Sequence, residues 1–182
     1  MVAPSFDAAH SIQFDLGRGS VRSGREEDCV VLVPAKALAH IVAAAPPAAV
    51  DALARALGDA IGRRARARLD DAATASVEAV VTQLAGEAAL AGIGSLSVER
   101  WGRAVVVRID GTPMPAPLLA PLVASALEAT FGRQIWCVLL SGGGDDARVL
   151  VASEGGVERV RAWLASGVPW GDALSRLQGG AA

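Results

Sequence analysis

The sequence predicts an α+β domain in which an antiparallel sheet, built from short hairpins, packs against a bundle of about four helices. Three observations carry this prediction. Apolar residues recur at helical steps over residues 48–69, 74–91 and 117–131, the spacing that gives a helix one buried face. Extended patterns bounded by turn residues occupy 96–109 and 134–153, as hairpin strands require. Strands and helices are grouped and do not alternate as strand–helix–strand units, which favours α+β over a doubly wound parallel sheet. The 182 residues are 52% hydrophobic and 20% charged. That is sufficient for one domain over residues 1–182, burying roughly 70% of its unfolded surface without staples.

Taken in order, residues 1–10 read as a flexible start. Ile12, Phe14 and Leu16 then alternate with polar neighbours as a short strand. Residues 17–28 read as a polar loop, and the apolar run 29–33 as a second strand. Pro34 opens a short helix over 35–44, which Pro46 and Pro47 stop. The long helix 48–69 carries Val50, Leu53, Leu57, Ile61 and Leu69 on one stripe, and Asp70-Asp71 breaks it. The next helix, 74–91, presents Val77, Val80, Val81, Leu84 and Ala88, so the short joint between the two predicts an antiparallel helix pair. Gly92-Ile93-Gly94 ends it, and a hairpin turns at Trp101-Gly102-Arg103. After a Pro-rich connection a third helix runs over 117–131, with Pro121 expected to delay or kink it. A second hairpin pairs 134–140 with 147–153 around the turn 141–146. Short helices at 157–165 and 172–177 form a C-terminal helical extension over 154–182.

Composition excludes several classes. No run reaches the roughly 18 uncharged apolar residues of a membrane span, and residues 1–15 lack the basic start and continuous apolar segment of a signal peptide. A cytoplasmic protein is expected. Cys29 and Cys137 have neither zinc nor redox spacing and read as small buried hydrophobes. His10 and His40 stand alone, which disfavours a catalytic triad and a histidine metal site. Ser141-Gly142-Gly143-Gly144-Asp145-Asp146 has no following Lys-Ser/Thr pair and two carboxylates that would repel phosphate, so it reads as a turn. With a net charge of −2, no Tyr and three Phe, the chain offers neither a basic field nor a stacking platform for nucleic acid. No catalytic residue, metal site or cofactor is predicted. General acid/base work could fall only to residues such as Glu78, Glu87 or Glu99, whose plainer reading is a solvated helix or strand face.

Four residues are candidates for ligand or partner contact. Arg64 and Arg68 share a helix face bordering Leu57, Ile61, Ala65 and Leu69. There they would either read a carboxylate or phosphate at a pocket rim, or snorkel past the core edge near a helix C-terminus. Trp101 and Trp170, each followed by glycine, are either exposed anchors for a partner or core residues.

The order of segments also carries a resemblance. An extended pair precedes a long helix containing Leu57-Gly58-Asp59-Ala60-Ile61-Gly62-Arg63 and a second ending at Gly92-Ile93-Gly94. A hairpin and a helix ending at Phe131-Gly132-Arg133 follow. Over about residues 30–153 this resembles the α+β domain shared by vinyl-reductase-type (4-vinyl reductase) small-molecule-binding domains and transport protein particle (TRAPP) subunits. To a lesser degree it is similar to the D subunit of bacterial cellulose synthase. The cysteine-rich terminal strand of many vinyl-reductase-type domains is absent, and no family ligand motif is matched. The resemblance implies oligomeric, largely non-enzymatic proteins that pair through helix faces.

Two functions are therefore expected, in this order. The first is a non-catalytic scaffold or adaptor that homodimerises through helices within a larger protein assembly. It is motivated by a well-patterned core with no catalytic set, and a third helix whose apolar residues (Leu118, Leu119, Leu122, Val123, Ala126, Leu127) exceed one narrow stripe is compatible with pairing. The alternative is a sensor enclosing an apolar or carboxylate-bearing small molecule between helices and sheet, with Arg64 or Arg68 reading the acid.

Overall fold

A computed structural model describes residues 6–8, 11–23, 28–69, 71, 74–142 and 145–179. His10, Asp70, Gly143, Gly144 and most of the segment read as a flexible start lie outside the described residues. The elements run β1 (Ile12–Asp15), β2 (Ser20–Ser23), β3 (Asp28–Val30), α1 (Ala35–Ala44), α2 (Pro47–Ala67), α3 (Val77–Leu90) and β4 (Ser95–Trp101). They continue with β5 (Ala104–Asp110), α4 (Ala116–Phe131), β6 (Trp136–Ser141), β7 (Asp146–Ala152), α5 (Glu154–Ala165) and α6 (Trp170–Gly179). The fold is α+β, as the sequence predicts, with two antiparallel sheets ordered β1-β2-β3 and β4-β5-β7-β6. The two predicted hairpins fuse into one sheet because β5 pairs with β7, Val107 opposite Val149 and Ile109 opposite Ala147.

The pleat of the four-stranded sheet sorts its residues into two cores. On one face Leu96, Val107, Ile109, Ala147 and Val149 pack under α2, α3 and α4. On the other, Val106, Val138 and Leu150 pack under Val157, Val160 and Leu174 of α5 and α6. The C-terminal helices thus cover the sheet face that the main helices leave open.

Helix α4 corrects one expectation. Its broad apolar surface needs no second chain, because Leu118, Leu119, Leu122, Val123 and Ala126 are all buried within the protein, between α2 and the sheet. The α2–α4 seam is unusually close. A methyl group added at Gly62 would fall on the Ala126 carbonyl oxygen and within 2.7 Å of the Ala129 methyl; one at Gly58 would fall on the Leu122 carbonyl oxygen. Side-chain hydroxyls stitch this seam: Ser125 Oγ donates to the Arg55 carbonyl (2.8 Å), and Thr130 Oγ1 lies within hydrogen-bond distance of the Gly62 and Ala126 carbonyls. Pro121 sits inside α4 without delaying it, and Gly132 ends the helix in the left-handed region (φ 67°).

Local differences have local causes. Residues 17–28 contain β2, whose lone apolar residue, Val21, gives no alternation to read. The apolar run 29–33 is strand only to Val30, and Val31, Leu32 and Val33 are exposed. Helix α3 starts at Val77 because Ser76 Oγ accepts from the Ala79 N–H (3.2 Å), and α5 starts at Glu154 because Ser153 caps it. Trp170 opens α6, two residues before the helix start that the sequence predicts at 172. Cys29, expected to be buried, is exposed. Cys137 is half-buried, and burial, helped by the nearby Glu128 carboxylate, pushes its thiol up to about 12.

Candidate functional site

Where α3, α4 and the inner sheet face meet under α2, the packing leaves a cavity of about 40 Å³. Ile61 from α2, Leu84 and Ala88 from α3, Val107 and Ile109 from β5, and Val123 from α4 line it, and every other lining residue is also apolar. The lining follows from periodicity. Residues 84 and 88 share a helix face one turn apart, and residues 107 and 109 share a sheet face. The space exceeds the roughly 10–15 Å³ that admits a water, but a water needs two to four polar partners, and this lining supplies none. It is therefore a dry apolar cavity. It is well below the about 150 Å³ of an engineered cavity that takes up benzene, so a ring could enter only if the wall yields.

One part of the wall is thin. Val81 of α3 and Leu96 and Val98 of β4 line the cavity and also line an open groove of about 580 Å³ between α3 and β4. These three residues separate interior from solvent.

None of the four candidate residues lines the cavity. Arg64 and Arg68 face an acid, but that acid belongs to the chain. Arg64 Nε lies 2.9 Å from Glu87 Oε2 and Arg68 Nε lies 2.7 Å from Oε1. Glu87, read from sequence as a solvated helix position, is 1% exposed. It is buried because α3 turns this face towards α2, and the two arginines, one helical turn apart, each take one carboxylate oxygen. Arg68 also donates to Ser11 Oγ (2.7 Å), Ser11 Oγ donates to the Asp7 carbonyl, and the Phe6 ring lies 4.6 Å from the Arg68 guanidinium carbon and against Gly86. The clamp thus ties α2, α3 and the start of the described chain together.

Trp101 and Trp170 meet each other. Their rings pack edge to face at 5.2 Å, and the Arg148 guanidinium carbon lies 5.4 Å from the Trp170 ring centre. Gln178 Nε2 donates to the Trp101 carbonyl, so the pair fastens α6 to the β4–β5 turn. Glu99, another of the candidate acids, is the centre of an ion cluster on the outer sheet face. The Trp101 indole N–H, then Arg148 and Arg108, hold its carboxyl below the usual range against the opposing effect of burial. Among the described residues no group of three or more His, Cys, Asp or Glu could hold a metal ion, and no helix is long and apolar enough to cross a membrane.

No protein-family model and no curated protein matches the chain. Among solved structures it is similar to the crystal structure of the phenol-responsive sensory domain of the transcription activator PoxR with phenol. The TM-score is 0.63 at 15% identity, covering 87% of this chain and 92% of that one. At that identity the likeness is one of fold.

Proposed function

We propose that the domain is a small-molecule sensor that holds a compact apolar group in the cavity between α3, α4 and the sheet. The observation that carries this reading is the wholly apolar cavity at the junction of helices and sheet. Its occurrence in a fold shared with a phenol-responsive sensory domain supports the reading further. Together they favour the sensor over the scaffold that the sequence placed first. Of the families it resembles, the small-molecule-binding vinyl-reductase-type domains fit this reading better than the transport particle subunits do. Arg64 and Arg68 are given a structural part in it, since their acid is Glu87.

Toluene tests the reading. At one hundred times its Kd a ligand stabilises the folded state by about 2.7 kcal/mol, and for a domain of this size each kcal/mol raises Tm by about 2–4 °C. Saturating toluene is expected to raise Tm by roughly 5–10 °C. Val107→Ile adds one methylene to the lining, keeps a β-branched residue in β5, and is expected to leave the unliganded Tm within about 2 °C while weakening toluene binding at least tenfold. A wild-type protein indifferent to toluene in both Tm and amide chemical shifts would overturn the proposal.

Self-association is a second reading, and a specific observation favours it over the helix pairing expected from sequence. Phe14, Leu16, Val31 and Leu32 are at least 60% exposed on or beside the three-stranded sheet, an apolar grouping of the kind that marks protein contact. Light scattering is expected to find a dimer that Val31→Ser, Leu32→Ser together convert to monomer; a wild-type monomer at high micromolar concentration would exclude it.

A further inference from the structure

We infer that the ligand is an amphiphile whose apolar end enters the cavity past Val81 and whose single carboxylate stays in the α3–β4 groove beside Arg100. The inference rests on the sensor reading of the cavity. It begins with the lining: a polar group carried inside would lose its water and find no hydrogen-bond partner there. Any polar end must therefore stay outside the thin wall of Val81, Leu96 and Val98, in the groove on its other side.

That groove holds one cation beside the wall. Leu96, Val98 and Arg100 alternate along the inner face of β4, opposite Ile109, Val107 and Val105 respectively. The first two are wall residues and the third, at the exposed end of the strand, is an arginine. Every other arginine on β4, β5 and β7 except that of the exposed turn is tied into the Glu99, Asp110 and Asp146 cluster on the outer face. Arg100 makes no ion pair with any described residue. Its guanidinium, two residues beyond the wall, matches a carboxylate in charge and in paired donors. Glu78, across the groove on α3, also lines it and repels any anion, so the one carboxylate lies on the Arg100 side and a second finds no cation among the lining residues. A flat ring or short chain bearing one carboxylate satisfies both the interior and the mouth.

Toluene, 4-methylphenol and 4-methylbenzoate carry the same methyl-bearing ring with no polar group, a hydroxyl and a carboxylate, and their binding to the intact chain is measured by titration calorimetry and amide shifts. For the wild type, 4-methylbenzoate is expected to bind at least tenfold more tightly than 4-methylphenol. Arg100→Gln, on an exposed strand position, is expected to abolish that preference while leaving toluene affinity within twofold. Val81→Trp, which thickens the wall, is expected to weaken all three. If toluene binds and Val107→Ile blocks it, but the carboxylate gives no advantage or Arg100→Gln leaves its advantage intact, the inference falls and the sensor reading stands. If none of the three binds, both fall.

Discussion

Replacing Gly62 with alanine is expected to destabilise the protein by about 3 kcal/mol, and the Gly58→Ala, Gly62→Ala pair to leave it unfolded at 25 °C. The sign of the single effect is diagnostic. In an open helix face the change to alanine would stabilise by about 1 kcal/mol through helix propensity. Here the new methyl would fall on the Ala126 carbonyl oxygen and within 2.7 Å of the Ala129 methyl. A flexible side chain could swing aside, but a backbone carbonyl within α4 cannot move without moving the helix. That shift would also pull Thr130 Oγ1 from the Gly62 carbonyl and Ser125 Oγ from the Arg55 carbonyl. Overpacking of this kind typically costs 1–3 kcal/mol and more against backbone, and two such sites approach the 5–15 kcal/mol that holds a whole domain. Urea denaturation measures it; a higher midpoint for Gly62→Ala would show that the helices stand further apart than described.

Removing both arginines that face Glu87 is the second large effect. Arg64→Met with Arg68→Met keeps most of the side-chain volume but leaves a carboxylate that is 1% exposed without a counter-charge. Breaking a buried pair from one side costs about 3–5 kcal/mol. Adding Glu87→Leu to the double variant is expected to restore most of the loss, because an apolar replacement of a whole buried ion cluster is often neutral or stabilising. The comparison separates the strength of the clamp from the penalty of stranding one member. If the double variant unfolds at the wild-type midpoint, the carboxylate is reached by water and the clamp is not buried as described.

The main helices and the larger sheet were legible because their signals are periodic and long. Leu84 and Ala88, Val107 and Ile109, and Leu122 and Val123 announce buried faces without any knowledge of their neighbours. The strand β2 was not legible, since Ser20-Val21-Arg22-Ser23 offers a single apolar residue, and its pairing with β1 and β3 is decided by the ladder. The partner of Arg64 and Arg68 was half visible. Two arginines four residues apart beside a core stripe point to one acid, but Glu87 lies on another helix and carries no mark that distinguishes it from Glu78. A cavity between helices and sheet is expected only under the alternative reading, and its lining could not be read. Each lining residue is an ordinary core residue in its own element, and a void is a shortfall of volume shared among five elements. Arg100 is the charged third member of the series Leu96, Val98, Arg100, but a charge at the end of a strand is common and does not by itself mark a site.

The glycine seam between α2 and α4 has a mechanical meaning. Two backbones in direct contact have no side chains between them to change rotamer, so that boundary is stiff. The opposite boundary of the cavity, where α3 lies against β4, is closed by the side chains of Val81, Leu96 and Val98. Compliance is therefore one-sided: a molecule entering the cavity would displace α3 before α4. Because α3 also carries Glu87 and Gly86, such a displacement would pull on their contacts with Arg68 and Phe6, and through Arg68 on Ser11.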